Sequence, residues 1–146
     1  DRGMRITVVS FQRNRNPALE ACEEEYLQRL SRHAEVTLHP LRRWNDHDGL
    51  PSGLASAGRR VGLCVEGKVF SSEGLAQRLQ TLMNQGCSHL VPVIGAAEGM
   101  PTAVDRQLDE RWSLSRLTFS HQLTRLVLLE ALYRSFDLLH GGPYHK

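Results

Sequence analysis

Short runs of branched apolar residues alternate along this chain with longer stretches in which apolar positions recur every three or four residues. Arg5 to Phe11 is the first run and reads as a strand. A polar, basic loop follows at Arg13 to Asn16. Pro17 suits the first position of a helix running to about Arg32, with Leu19, Cys22, Tyr26, Leu27 and Leu30 near helical spacing. Glu35 to Leu41 is a second strand, and Arg42 to Ser56 a polar loop with room for one helical turn. Arg60 to Glu66 is a third strand. Ser71-Ser72-Glu73 caps and opens a helix that Gly86 closes. His89 to Ile94 is apolar without alternation, as a central buried strand should be. Pro101 starts a short helix ending near Arg111, and Leu114 to Phe119 is a fifth strand. His121 to about His140 is a helix with a broad apolar surface: Leu123, Leu126, Val127, Leu129, Leu132, Tyr133, Phe136 and Leu139. Such alternation predicts a single three-layer α/β/α domain over residues 1–146, built on a mainly parallel sheet. Asp1-Arg2-Gly3, ahead of Met4, is set aside from this reading.

Ligands of parallel sheets bind at the carboxyl ends of the strands. Gly67-Lys68, Gly95-Ala96-Ala97-Glu98-Gly99 and Ser120-His121 all fall at predicted strand ends, so three loops are expected to meet at one site. The Gly95–Gly99 turn is neither a phosphate loop with Gly-Lys-Ser/Thr nor a GxGxxG fingerprint, which argues against a triphosphate. His121 is read either as a helix-capping residue or as a functional group, with Arg125 one turn further on the same face. Glu130 and Arg134 repeat that spacing and read as a structural ion pair. Gly141-Gly142-Pro143 can turn the 141–146 tail back over the domain, where His145 could act as a base or orient substrate.

Composition narrows the classes. With 40% hydrophobic and 23% charged residues, the chain is an ordinary globular domain. Its net charge of +2 does not suggest wholesale nucleic-acid binding, although 16 Arg against 2 Lys favour forked contacts wherever phosphate is met. Cys22, Cys64 and Cys87 are odd in number and lack metal spacing, so neither a disulfide framework nor a metal site is expected. No apolar run approaches the ~20 residues that span a bilayer. No leader peptide is read either, and a cytoplasmic place is expected. There is no GxSxG elbow for Ser-His-Asp chemistry.

Taken in order, Gly67-Lys68-Val69-Phe70-Ser71-Ser72-Glu73-Gly74-Leu75-Ala76, Val93 to Gly99, Leu117-Thr118-Phe119-Ser120-His121-Gln122 and the closing Pro143-Tyr144-His145-Lys146 resemble the SPOUT superfamily of knotted methyltransferases. They resemble most its ribosomal RNA large subunit methyltransferase H branch. The resemblance runs from Arg5 onward and tightens after Arg60; Gln12 to Arg59 matches loosely. It implies an α/β domain with a deep C-terminal trefoil knot, and methylation of N3 of a pseudouridine in 23S rRNA from S-adenosylmethionine. It also implies a homodimer acting on the large ribosomal subunit or the 70S ribosome, with no metal and no membrane.

Residue by residue, the resemblance assigns the cofactor to Leu63, Gly95 and the run Leu114, Ser115, Arg116, Leu117, Thr118 and Phe119. Tyr144 and His145 are implied in catalysis or substrate placement, and Arg125 as a phosphate or base contact. The N3 proton needs an acceptor; His145 is the first candidate and His121 the second. The chain departs from the branch at four points, one of them a Leu41 to Ser56 stretch shorter than usual. Ile94-Gly95-Ala96 replaces Ile-Gly-Gly, which would strain Ala96 if that position needs positive φ. Ser120-His121 replaces Pro-His, and Val9-Ser10-Phe11-Gln12 replaces a Val-Gly-Lys-like turn. Two alternatives follow: a non-catalytic knotted RNA- or ribosome-binding paralogue, or a SPOUT methyltransferase with another RNA target.

Overall fold

The computed structural model describes residues 3–56 and 58–146; Asp1 and Arg2, set aside above, lie outside them. Five strands form one parallel sheet in the order β2-β1-β4-β3-β5: β1 (Arg5–Phe11), β2 (Glu35–Leu41), β3 (Arg59–Val69), β4 (His89–Ile94) and β5 (Glu110–Ser113). Between them run α1 (Pro17–Leu30), α2 (Ser52–Ala55), α3 (Ser72–Asn84), α4 (Thr102–Asp105) and, last, α5 (His121–Leu139). All six residues of β4 are buried, as its unbroken apolar run predicts.

Alternation along the strands sorts the core into two faces. Ile6, Val8, Leu90 and Ile94 join Leu30 of α1, Leu75, Leu79 and Leu82 of α3, and Leu128, Leu129, Leu132 and Phe136 of α5. On the opposite face Val9, Phe11, Val91 and Val93 pack with Leu50 and Val104 under the 42–50 loop, α2 and α4. The three long helices thus make one outer layer and the short elements a thinner one. Their starts are capped by side chains: Ser71, as the sequence suggests, accepts from the Gly74 amide at 3.0 Å, and Asn16 and Ser120 accept from the Leu19 and Leu123 amides, both at 3.2 Å.

Two expectations fail between Pro101 and Phe119. The helix after Pro101 ends at Asp105 rather than near Arg111, and the fifth strand is Glu110–Ser113 rather than Leu114–Phe119. Trp112 anchors that strand. It is 1% exposed, meets Phe70 edge-on at 5.7 Å, and donates its indole N–H to Glu110 at 2.6 Å. Residues 114–119 instead form an irregular loop pinned by Ser113 Oγ donating to the Ser115 carbonyl and the Leu117 amide donating to Ser115 Oγ. The third strand also runs past Glu66 to Val69. It pairs Trp112 of β5 twice, through Leu63 and again through Lys68, so residues 64–67 bulge out of the ladder. Gly67-Lys68 is therefore not a strand end. A Cβ on Gly67 would lie 2.6 Å from the Trp112 carbonyl carbon, which only glycine allows.

Glu110 is the electrostatic hub of this corner. Burial alone would raise its carboxyl, but hydrogen bonds from Arg78, Trp112 and Arg59 outweigh it and hold the group at about 2. A folded-state value depressed below the unfolded one stabilises above the unfolded value and loses that contribution as pH falls. Glu110→Gln is therefore expected to flatten the acid limb of stability between pH 4.5 and about 2. Denaturant melts across that window check it, and the contribution at stake near neutral pH is at most about 3 kcal/mol.

Candidate functional site

The carboxyl end of β4 and the bulge within β3 open into a cavity of about 800 Å³, the size of a small-molecule site. Its floor is Leu63 and Ile94, and one wall is the bulge Cys64, Val65 and Glu66. The 95–100 turn makes a second wall, and the 114–119 loop with the start of α5 closes it. Of the cofactor residues expected from the sequence, Leu63, Gly95, Leu114, Ser115, Leu117, Thr118 and Phe119 line this space; Arg116 belongs to the same loop but is exposed and is not part of the lining. Two of the three expected loops thus converge, with the β3 bulge taking the place of Gly67-Lys68. Glu66 and the rim pair Arg111–Asp105, at 2.8 Å, were not anticipated. A charged residue at the end of an apolar strand was the available signal for Glu66.

The 95–99 turn is closed by reciprocal backbone bonds between Ala96 and Gly99 of 3.1 and 2.9 Å. Gly99 takes the left-handed position, φ +119°, and among the described residues no residue other than glycine has positive φ. Ala96 therefore sits there without the strain considered above. Gly95 packs its backbone against Met100, where a Cβ would stand 3.0 Å from the amide nitrogen.

His121 lines the cavity as the first residue of α5, while Ser120 provides the cap. Arg125 does not join it. The expectation of a phosphate or base contact fails, because the Arg125 side chain is 5% exposed and its guanidinium is consumed inside the fold. Nε and Nη2 grip Glu23 of α1 at 2.6 and 2.9 Å, and Nη1 donates to Ser10 and Gln12 at 3.0 and 2.6 Å. Gln12 in turn donates to the Asn14 carbonyl, which also accepts from Gln122. Arg125 thus anchors the 12–16 arm beside the cavity from within.

The tail is tied down. Gly142 and Tyr144 donate their amides to the Asp137 carbonyl and carboxylate. The Tyr144 hydroxyl donates to Glu130 at 2.6 Å and lies 3.2 Å from Tyr26 Oη. Arg134 pairs with Glu130 at 2.6 Å, stacks 4.7 Å over the Tyr144 ring and donates to His145 Nδ1 at 3.0 Å. Arginine has no acceptor, so Nδ1 holds a lone pair and neutral His145 carries its proton on Nε2, 3.3 Å from Glu73. Burial, then Glu130 and Tyr26, push the Tyr144 phenol well above its ordinary range, leaving a donor rather than a base. Neither residue lines the large cavity. They flank a smaller one of about 210 Å³ lined by Phe70, Ser71, Glu130 and Arg134, and Leu114 borders both. The Glu130–Arg134 pair is thus the tail's mooring, a role its helical spacing alone does not reveal.

Among the described residues no group of three His, Cys, Asp or Glu side chains could hold a metal ion, and no helix is long and apolar enough to cross a membrane.

Comparison with known proteins agrees with this geometry. Residues 4–145 match the family model described as "Predicted SPOUT methyltransferase". The chain is 38% identical to the ribosomal RNA large subunit methyltransferase H of Moorella thermoacetica, over 98% of this chain and 99% of that protein. It is also 38% identical to the protein of that name from Sorangium cellulosum, over 97% and 99%. Among solved structures, a probable methylase family protein from Haemophilus influenzae superposes with a TM-score of 0.58 at 7% identity, covering 95% of this chain and 67% of that one, which supports the fold alone.

Proposed function

The chain belongs to the SPOUT methyltransferase family, and from that premise we propose that it methylates N3 of a pseudouridine in 23S rRNA, using S-adenosylmethionine. The observation that carries the reading is the cavity. Seven of the eight residues expected to hold the cofactor line one space of about 800 Å³ at the carboxyl end of the sheet. Its lining suits the cofactor: Leu63, Ile94, Leu117 and Phe119 offer apolar surface to an adenine, and Glu66, Ser115 and Thr118 offer polar groups to ribose hydroxyls. When bound, S-adenosylmethionine supplies a methyl group already activated on its sulfonium. The protein's part is to align the base in line with that methyl group, exclude water and take the N3 proton.

For that last task the geometry favours His121 over His145, the reverse of the order read from sequence. His145 spends its Nδ1 lone pair on Arg134 and points Nε2–H at Glu73, whereas His121 faces the cavity. His121 is the acceptor of the imide proton in this proposal. Tyr144 and His145 place substrate, and the 141–146 tail reaches its target across the interface of a homodimer. Exposed Val65, Val69, Leu117 and Leu123 favour coverage by a second copy. The same reading takes the 114–119 loop and α5 as the threaded segment of the knot.

The test is titration with S-adenosylmethionine and S-adenosylhomocysteine, followed by methyl transfer to large subunits from cells lacking the modification. Binding near one per subunit with transfer to a pseudouridine supports the proposal; binding with transfer elsewhere indicates another RNA target. Binding of neither ligand would return weight to the non-catalytic paralogue. The unstrained turn removes the main motive for that paralogue. Accordingly, Ala96→Gly is expected to leave S-adenosylhomocysteine affinity within about twofold and to lower stability by roughly 0.5–1 kcal/mol through added chain entropy. Calorimetric titration and a thermal melt read both.

A further inference from the structure

Beside the cavity mouth stands a stacked cation that the chemistry above does not use. The Arg13 guanidinium lies 4.2 Å from the centre of the Trp44 ring, and its Nη1 donates to Glu98 at 3.0 Å. The indole is held firmly: it meets Phe11 edge-on at 5.4 Å and packs on the second core cluster. Its cover is not held firmly. The Arg13 and Glu98 side chains are 58% and 57% exposed, and ion pairs this open to water are weak.

Position makes the arrangement informative. Glu98 belongs to the turn that walls the cavity, and Gln122, next to His121, donates to the Asn14 carbonyl at 2.8 Å. The 12–16 arm therefore touches both sides of the mouth. Exposed Arg42 and Arg43 directly precede Trp44, and Arg15 comes from the same arm, paired with Glu20 at 2.7 Å. The nearby acids Asp46 and Asp48 are occupied by Thr102 and Asn45.

We propose that Trp44 and Arg13 form a docking point for single-stranded RNA at the rim of the cavity, the indole stacking an unpaired base while the guanidinium exchanges Glu98 for a phosphate. A fixed aromatic face beside a releasable guanidinium matches the two contacts a single strand offers, a base plane and a phosphate. In the free protein Glu98 acts as a stand-in anion, which keeps the indole covered until RNA competes for Arg13. This inference rests on RNA being the substrate.

The test uses steady-state methyl transfer to large ribosomal subunits lacking the modification, with S-adenosylhomocysteine affinity as a separate readout of a folded site. Arg13→Ala and Trp44→Leu are expected to raise KM for the subunit roughly 10-fold, the scale of one lost stacking contact, with the effect on KM rather than kcat. Arg13→Ala should also reduce the logarithmic salt slope of subunit binding by about one, as loss of one phosphate contact does. Glu98→Gln should move the other way and lower KM severalfold, because it removes the competing anion. A merely structural Arg13–Glu98 pair would make the two variants lose affinity alike, and that outcome overturns the inference. So does an Arg13→Ala protein with wild-type KM and salt slope. If the unaltered protein binds S-adenosylhomocysteine but methylates no subunit, the underlying reading of the substrate fails, and the docking point fails with it.

Discussion

Replacing Arg125 by alanine is expected to destabilise the fold by about 3–5 kcal/mol, because it strands the Glu23 carboxylate in the interior. Glu23 is 1% exposed, and both of its oxygens accept from that guanidinium. Ser10 and Gln12 lose a donor in the same step. In a domain of this size such a loss lowers the melting temperature by roughly 10 °C. Calorimetry on Arg125→Ala, on Glu23→Gln and on the combined Glu23→Gln/Arg125→Met protein separates the causes. The combined variant removes both charges and keeps volume, so it should recover more than half of the single loss. If the two losses simply add, the pair is not coupled and the account fails. The methyl-transfer defect of Arg125→Ala should track its stability at each temperature, as befits a group that reaches the site only through Gln12 and the 12–16 arm.

His121→Ala is expected to cut kcat by about 10²–10⁴-fold, the range for loss of a positioned proton acceptor, while S-adenosylhomocysteine still binds. Free imidazole should restore part of the rate. His145→Ala is expected to act mainly on KM for the ribosomal subunit, since its Nδ1 is occupied by Arg134. A His145→Ala protein that loses kcat and is rescued by imidazole, beside a His121→Ala protein that keeps its kcat, would reverse the assignment. Tyr144→Phe should leave the pH dependence of kcat unchanged up to alkaline pH, because the phenol stays protonated beside Glu130.

Much of this architecture was legible because local rules and tertiary packing agree. The β-branched run 5–11, the unalternating 89–94 and the capped helix after Ser71 fold as their patterns require. The misreading of 101–119 has a specific cause. Leu114 to Phe119 carries strand-like apolar residues, yet what seats β5 is Trp112 beneath Phe70 and the Glu110 hub, both long-range contacts invisible to periodicity. The β3 bulge was hidden in the same way, since it exists only as a register shift against β5. At the site, seven of the eight residues that the resemblance assigns to the cofactor line one cavity. Arg125 was misplaced because spacing shows which residues share a helix face but not whether that face meets solvent or Glu23. His145 gives the converse lesson: a titratable tail residue looks available until its neighbours are known.

The partners Glu23 and Arg125 stand 102 residues apart. At ordinary rates of synthesis the acid emerges roughly 5–20 s before the base that neutralises it. Through that interval the Glu23 carboxylate has no guanidinium to accept from, and α1 lacks the helix it mainly packs against. The main core includes Leu128, Leu129, Leu132 and Phe136, so it is complete only once α5 is made. The last helix thus brings both the missing core side chains and the base that Glu23 needs.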